Sequence, residues 1–384
     1  MKENQILRIY GTDYKEMTKR LLEKAELEKR IPGKECRIGI KPNLVSPSPA
    51  CLGATTHPEV VAGIIEYLQE RKFRKIVMAE GSWVGDRTEE SVKACGFDVL
   101  SETYGVPFLD TQKEGSFEQD CAGMKLNLCN CLKEIDFMIN VPVMKGHCQT
   151  KITCALKNMK GMIPNREKRR FHSLGLHKPI AHLAAGIHQD FIVVDHICGD
   201  LDSEDGGNPV SCNCVMAGTD PVLMDAYVCF LLHYQTEEVP YISMAEELGI
   251  GSADLNLAEI LVSAEPGKWI SEPAGESKRE LETRRRIVDL KDVVEAVESC
   301  SACYAYLVPA LEKLKEEGLL SGLDERICIG QGYQGKQGKI GIGRCTSGFA
   351  YHVNGCPPTE QQIYDFLREY LTGGKLSLEG SEPA

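Results

Sequence analysis

The chain has 384 residues, of which 42% are hydrophobic and 26% are charged, and this balance is typical of a globular protein with a large core. Its formal net charge is −12, from 44 lysines and arginines against 56 aspartates and glutamates. This acidity argues against nucleic-acid and anionic-membrane partners. No apolar run approaches the ~18 residues of a membrane span, and the N-terminal sequence MKENQILRIYGTDYKEM lacks the apolar region of a signal peptide. We therefore expect a cytoplasmic protein.

Five short apolar stretches predict strands, and most of them run into polar residues. They are residues 36–45, 75–82, 106–110, 136–145 and 190–197. Helical patterns separate them, for example over residues 58–71. Strands that alternate with helices indicate βαβ units. The predicted fold class is therefore α/β, with a mainly parallel sheet flanked by helices.

Polar side chains follow these strands at the positions where ligands bind to parallel sheets. Lys41 and Asn43 follow the first predicted strand, and Lys145 and His147 follow the fourth. The carboxyl ends of parallel strands meet in one crevice, which is the usual ligand site of such folds. We therefore predict a binding site at this edge of the sheet.

The segment from Val143 to Pro179 concentrates cations and imidazoles, with six lysines, three arginines and three histidines. Cations beside strand ends and helix N-termini are favourable when a carboxylate or phosphate shares the site. The predicted binding residues for an anionic small molecule are Lys41, Asn43, Lys151, Thr153, Asn158 and Arg166. The predicted catalytic residues are His147, Lys157 and His172, since a histidine can move a proton at neutral pH. The alternative is a solvated basic loop, above all at residues 168–170.

An acidic loop follows the last predicted strand. It carries five carboxylates between Asp195 and Asp205 and then Gly-Gly. Such a loop suits a divalent cation, but it lacks the spacing of an EF-hand. A solvated loop explains it equally well, and we keep both readings.

The composition changes towards the C-terminus and predicts a second domain. Residues 263–289 are rich in Pro, Gly, Glu and Arg and predict a linker with a charged helix. We accordingly divide the chain into an α/β domain (1–262), this linker (263–289) and a small cysteine-rich α/β module (290–384). Two helices are expected in the module, near residues 304–317 and 359–372.

Four cysteines of the module have the spacing of a metal site. Cys300 and Cys303 form a C-x2-C pair, and Cys345 and Cys356 follow after 41 and 10 further residues. Four thiolates from separate loops bind Zn²⁺ or an iron–sulfur cluster. The stretch NGCPPTEQQIYDFL resembles the loop around the last cluster cysteine in the small subunits of complex I and nickel–iron hydrogenases. We predict a 4Fe-4S cluster, with zinc and unliganded thiols as alternatives, and Cys328 in place of Cys345 as a further option.

Several motifs resemble those of domain-of-unknown-function family 362. They are KPNLV, THPEVV, AEGS, INVPVMKGHCQTKITCALKNMKGMIP, VVDHICG and AGTDPVLMDA, spread over residues 36–262. The resemblance implies iron–sulfur binding, because members are often described as iron–sulfur-cluster-binding proteins. Many members carry a two-cluster ferredoxin-like tail, whereas this chain has the single four-cysteine module instead.

The family is also distantly similar to the N-terminal domain of lactate racemases, which bind a nickel-pincer nucleotide. Through KGHCQTKITCALKNMKG, this similarity implies that His147 and Lys157 face a metal or cofactor.

Three functions fit the sequence. The first is an iron–sulfur redox protein or oxidoreductase that binds an anionic small molecule and exchanges electrons with a partner protein. The second is a metal-dependent, lactate-racemase-like isomerase or transferase with a structural four-cysteine site. The third is a binding or scaffold protein whose cluster serves stability. The sequence leaves both a monomer and a homodimer open, and it does not name the substrate.

Overall fold

A computed structural model describes residues 1–265, 267–273, 293–297, 299 and 301–373. The chain divides into two compact units, Met1–Thr283 and Arg284–Ala384. Two sequence predictions lie outside the described residues, namely the charged helix after residue 273 and the position of Cys300. The domain boundaries at 262 and 290 stay predictions.

The first unit contains thirteen strands and nine α-helices among its described residues. The strands are β1 (Gln5–Tyr10), β2 (Ile38–Pro42), β3 (Ile76–Glu80), β4 (Phe108–Asp110), β5 (Ser116–Cys121), β6 (Met124–Cys129), β7 (Phe137–Val141), β8 (Lys145–His147), β9 (Lys151–Thr153), β10 (Phe191–His196), β11 (Cys214–Gly218), β12 (Glu259–Glu265) and β13 (Lys268–Glu272). The helices are α1 (Tyr14–Ala25), α2 (Pro58–Glu70), α3 (Thr88–Ala94), α4 (Phe97–Tyr104), α5 (Ala155–Asn158), α6 (Asn165–Ser173), α7 (His177–Gly186), α8 (Pro221–Leu231) and α9 (Tyr241–Glu247).

Nine of these strands form one sheet in the order β13-β12-β1-β11-β10-β7-β2-β3-β4. The block β10-β7-β2-β3-β4 is parallel throughout. It consists of the five strands that the sequence predicts. β11 runs antiparallel to β1 and β10. β12 and β13 form an antiparallel hairpin that begins before the expected linker (263–289) and extends into it. The predicted fold class, a mainly parallel sheet flanked by helices, is confirmed.

The sheet is buried on both faces, which explains why its central strands read as continuous apolar runs. Successive side chains of a strand point to opposite faces. Ile192 and Val194 accordingly belong to one hydrophobic cluster and Val193 to the other. α2 begins with Pro58, whose fixed φ suits the first helical position. This packing fixes the strand ends that carry the polar residues.

The second unit has a small parallel sheet in its described part. Its strands are β14 (Val294–Ala296), β15 (Ile327–Ile329), β16 (Ile340–Ile342) and β17 (Tyr351–Val353), paired in that order. Two helices accompany the sheet, α10 (Ser301–Glu316) and α11 (Glu360–Leu371), close to the two predicted helices. Leu307, Leu311, Ile363 and Leu367 are fully buried in its core. No helix in the described ranges has the length and apolar character needed to cross a membrane.

Candidate functional site

A buried ion pair joins the ends of β2 and β3. Lys41 Nζ lies 2.5 Å from Glu80 Oε2 and also donates to Asn158 Oδ1 at 3.1 Å. The other oxygen of Glu80 accepts the Gly81 N–H at 2.7 Å. Gly161 is required here because a Cβ atom on it would lie 1.7 Å from Glu80 Oε1. Lys41, the first of the predicted site residues, is thus a buried lysine whose charge is paired with that of Glu80.

An amide network fixes α5 against the end of β7. Asn158 Nδ2 donates to Asn140 Oδ1 at 2.7 Å, and Asn140 Nδ2 donates to the Ala155 carbonyl at 2.9 Å. At the other end of α5, the buried Asp225 carboxylate accepts the N–H groups of Ala155 and Leu156. These contacts hold three of the four residues of the helix, and Lys157 lies between them in the chain.

The hairpin of β8 and β9 brings a histidine and a cysteine against the acidic loop. Both Cys148 Sγ and His147 Nε2 approach Glu204 Oε1, at 2.9 Å and 3.3 Å. The ligand atoms of these three buried residues all lie within 4.8 Å of one another. A nitrogen, a sulfur and an oxygen donor form a set that suits zinc, nickel or another transition metal. No other such group of His, Cys, Asp or Glu occurs in the part of the chain that the structure describes.

Hydrogen bonds indicate the protonation state of His147. The backbone N–H groups of Gln149 and Thr150 donate to His147 Nδ1 at 3.0 Å and 3.3 Å, so the ring proton is on Nε2, beside Glu204. Burial and nearby lysines hold the pKa of His147 well below its usual value. Burial and Glu204 hold the pKa of the Cys148 thiol well above its usual value. A bound metal would have to displace both protons.

Five lysines lie in this region, one of them in the β2–β3 ion pair. Besides Lys41, they are Lys145, Lys157, Lys160 and Lys168, and we call all five the lysine cluster. Lys145 Nζ donates to the carbonyls of Ala54 and Glu204, and Lys168 Nζ donates to those of Gly81 and Ser82. These two ammonium groups are thus bound by backbone oxygens.

Lys157 and Lys160 differ from the other three. Among the described residues, Lys157 Nζ has one hydrogen bond, to Thr153 Oγ1, which is long at 3.4 Å, and Lys160 lies over the Phe171 ring. Across the described residues, neither lysine forms an ion pair. Burial lowers the pKa of Lys145 to about 7 and those of Lys157 and Lys168 to about 8, and it holds that of Lys160 well below its usual value.

The acidic loop is folded around Asp200 and is not a solvated loop. The Asp200 carboxylate is buried and accepts the N–H groups of Asp202, Ser203 and Asn208. Close packing against β8 needs Gly146, since a Cβ atom there would lie 2.4 Å from the Leu201 carbonyl oxygen. This arrangement presents Glu204 to His147 and Cys148.

The structure brings together some of the predicted site residues. Lys41 contacts Asn158, Lys157 contacts Thr153, and the charge of Lys157 lowers the pKa of His147. His172 is half-buried on α6, where its charge also affects His147.

Three other predicted residues have different partners. Lys151 pairs with Glu238 at 2.6 Å, and the exposed Arg166 donates to Ser116 and Asn127. Asn43 Oδ1 accepts the Val45 N–H in the turn after β2. The roles assigned to all these residues stay predictions.

Four residues of the site were not among the predicted ones, namely Cys148, Lys160, Lys168 and Glu204. Glu204 belongs to the acidic loop for which the sequence suggested a cation site. The sequence did not show that His147 and Cys148 lie beside it. Lys168 lies in the charged run NREKRR, a pattern that predicts a solvent-exposed segment. In the structure, Glu167, Lys168 and Phe171 form the buried side of α6, as helical periodicity allows.

The later cysteine loops of the second unit converge on Cys303. A Cβ atom on Gly343 would lie 3.2 Å from Cys303 Sγ and 3.4 Å from the Gly355 carbonyl oxygen. The Arg344 N–H donates to that carbonyl at 2.8 Å. Gly343 lies two residues before Cys345, and Gly355 lies directly before Cys356. Cys328 is on β15, with its thiol 3.9 Å from the Arg326 carbonyl oxygen.

Comparisons with known proteins agree with the motifs. The thylakoid-associated protein sll1697 of Synechocystis sp. is 24% identical over 225 residues, which cover 56% of this chain and 68% of that protein. The lactate racemase apoprotein of Thermoanaerobacterium thermosaccharolyticum is 13% identical with a TM-score of 0.39, covering 56% of this chain and 54% of that one. A Thermotoga maritima protein is 14% identical with a TM-score of 0.36, covering 62% of this chain and 60% of that one. The family model described as a domain of unknown function (DUF362) matches residues 38–230, half of the chain. The chain therefore belongs to the DUF362 family.

Proposed function

We propose that the protein is an iron–sulfur redox protein, in which the first unit binds an anionic small molecule and the second holds a 4Fe-4S cluster. The observation that carries the anion site is the lysine cluster, with Lys157 and Lys160 unpaired by any carboxylate in the described ranges. Such a concentration of cations in an acidic chain is unfavourable unless an anion completes it.

The energetics favour a bound carboxylate or phosphate. A buried ammonium without a partner is costly, and the folded protein responds by lowering the lysine pKa values. An anion between Lys157 and Lys160 would restore the charged forms and add charge-assisted hydrogen bonds. The half-buried position of both lysines leaves them accessible to a small molecule.

Lys157 is the best proton carrier of the site. Its pKa of about 8 is close to neutral pH, where an acid–base group is most effective. His147 suits a different role, because its Nδ1 is occupied by backbone donors and its Nε2–H faces Glu204. We assign Lys157 to proton exchange with the ligand and His147 to positioning Glu204.

The cysteine module has features that fit a cluster. A Cβ atom on Gly343 would make a tight contact of 3.2 Å with Cys303 Sγ, and glycine loops with close backbone are typical of cluster environments. Cys303, Cys345 and Cys356, with Cys300, would hold the cluster, and the cluster would supply one-electron transfer. Zinc in the same four thiolates is the alternative cofactor.

The anion site is tested by sulfate binding to two lysine variants. Sulfate keeps a constant charge near neutral pH, so calorimetry reports on the protein alone. We expect Lys157→Met to weaken binding by about tenfold or more, since one charge-assisted bond is worth about 1.5–3 kcal/mol. Lys151→Met is the matched control, because Lys151 already pairs with Glu238, and it should change the affinity less than about twofold. Equal losses in both variants would contradict the proposal.

The cofactor is tested by iron, zinc and acid-labile sulfide analysis of anaerobically purified protein. A 4Fe-4S cluster requires iron and sulfide in equal amounts, with a brown colour. Stoichiometric zinc without sulfide would replace the redox proposal with a structural site.

The His147–Cys148–Glu204 group favours a second candidate, a metal-dependent isomerase or transferase. Three protein ligands of mixed type leave room for a substrate on the metal. Nickel retained through dialysis, and lost in His147→Ala, is the expected result for this candidate. Retention of the metal in that variant would exclude the group as its ligands.

A further inference from the structure

A cysteine, a histidine and an aspartate meet where β10 ends, and the proposed function uses none of them. Asp195 is in β10, Cys198 follows the end of that strand, and His57 precedes α2. We call these three residues the thiol triad.

The aspartate fixes the orientation of the histidine ring. Asp195 Oδ2 accepts the His57 backbone N–H at 2.7 Å and pairs with His57 Nδ1 at 2.8 Å. The other oxygen, Oδ1, accepts the Ile197 N–H at 3.1 Å. With the Nδ1 proton facing the carboxylate, Nε2 is directed away from Asp195. The carboxylate is 1% exposed, so water does not compete for it.

The Cys198 thiol lies on the side of the His57 ring that faces away from Asp195. Cys198 Sγ is 3.6 Å from His57 Nε2 and 3.5 Å from the Ala50 carbonyl oxygen. A nucleophile beside a base that a third group orients is the arrangement of covalent catalysis. Burial opposes a charge on His57, but Asp195 and Cys198 raise the pKa of His57 to about 10. A charged imidazolium beside a thiol is the usual arrangement of a reactive cysteine.

The surroundings of the triad restrict its substrate. The titratable groups packed against His57 are Asp195, Cys198 and Tyr14, whose ring meets the His57 ring edge-on at 5.6 Å. Burial raises the pKa of Tyr14, and the charge of Glu59 adds to that effect. Within the described residues, Asp195 has no ion pair with a lysine or arginine, so His57 is the cation that faces it. Cys198 is 9% exposed and the His57 side chain 12%, so access to the thiol is narrow and a small acyl group suits it best.

We propose that Cys198 is an acyl-accepting nucleophile for a thioester or another activated acyl group. The Cys198 thiolate attacks the carbonyl carbon, a new S–C bond forms, and the bond to the leaving thiolate breaks. The His57 imidazolium gives its proton to that thiolate. Neutral His57 then takes a proton from water, whose oxygen attacks the acyl carbon, so a carboxylic acid and the Cys198 thiolate are released.

The thiol is tested by iodoacetamide alkylation at pH 6, followed by peptide mass spectrometry. We expect Cys198 to react at least about tenfold faster than the exposed Cys51, because His57 Nε2 lies beside the Cys198 sulfur. His57→Gln should remove this advantage. Asp195→Asn is a second variant that should slow Cys198 while leaving Cys51 unchanged.

The acyl step is tested with p-nitrophenyl acetate. The expected result is one equivalent of rapidly released nitrophenolate and an acetyl group on the Cys198 peptide, both absent in Cys198→Ala. Equal alkylation rates of Cys198 and Cys51 would overturn the triad. Rapid alkylation without acetylation would overturn the acyl proposal. Neither result depends on sulfate binding or on iron, so this inference and the proposed function can fail separately.

Discussion

At the scale of single residues, the protonation of Lys157 determines what the site can bind. Burial lowers its pKa to about 8, so a large fraction is neutral just above neutral pH. An anion beside the ammonium favours the charged form and raises that pKa again. Binding is therefore linked to proton uptake whenever the pH is near or above 8.

This linkage predicts that sulfate binds more tightly as the pH falls. Above pH 8, each deprotonated lysine that binding must reprotonate weakens the affinity by about tenfold per pH unit. Lys145 and Lys168 contribute as well, since their pKa values are also lowered. We expect the slope of log Kd against pH between 7.5 and 9.5 to be smaller by about one proton in Lys157→Met. Calorimetry in buffers of different ionisation enthalpy measures the uptake, and an unchanged slope would show that Lys157 is not coupled to binding.

At the scale of elements, the site depends on a close approach of the turn after α5 to β3. Gly161 occupies the position where any side chain would enter the Lys41–Glu80 pair, since its Cβ atom would lie 1.7 Å from Glu80 Oε1 and 2.7 Å from Lys41 Nζ. Both charges are almost completely buried. Separating them leaves two uncompensated charges in a region of low dielectric constant.

We therefore expect Gly161→Ala to lower the free energy of unfolding by about 3 kcal/mol and to weaken sulfate binding. Gly33→Ala is the control, since Gly33 is exposed and a Cβ atom there would contact nothing within 4 Å. Urea denaturation and calorimetry measure the two effects. A stability within 0.5 kcal/mol of the wild type, about the size of a neutral surface substitution, would mean that the turn moves aside without loss.

The elements also show how far the sequence predicts the structure. The five strands of the parallel block are visible because each is an apolar run that ends in polar residues. β1 is harder to recognise, since Arg8 interrupts its apolar pattern. That arginine is buried in the structure and donates to the Tyr227 hydroxyl at 2.8 Å. The pairing of His147 with Glu204 joins residues far apart in the chain, and no local pattern specifies such a contact.

At the scale of the whole molecule, the chain consists of two compact units with separate chemistry. The lysine cluster belongs entirely to the first unit, and the convergence of cysteine loops belongs to the second. Each unit has its own hydrophobic core. Damage to the cysteine site should therefore leave the anion site intact, provided that each core folds by itself.

Cys303→Ser tests this separation. Cys303 is 8% exposed and its sulfur lies against Gly343, so serine replaces a strong thiolate ligand by a weak one at a buried position. We expect the iron and sulfide contents to fall to background. The sulfate affinity should stay within about twofold of the wild-type value, a change well below the ~1.4 kcal/mol of a tenfold difference. Cys328→Ser is the control, because Cys328 is a strand residue of the same unit and should retain the cluster. Loss of iron from Cys328→Ser alone would reassign the fourth ligand, and loss of sulfate binding in Cys303→Ser would show that the two units depend on each other.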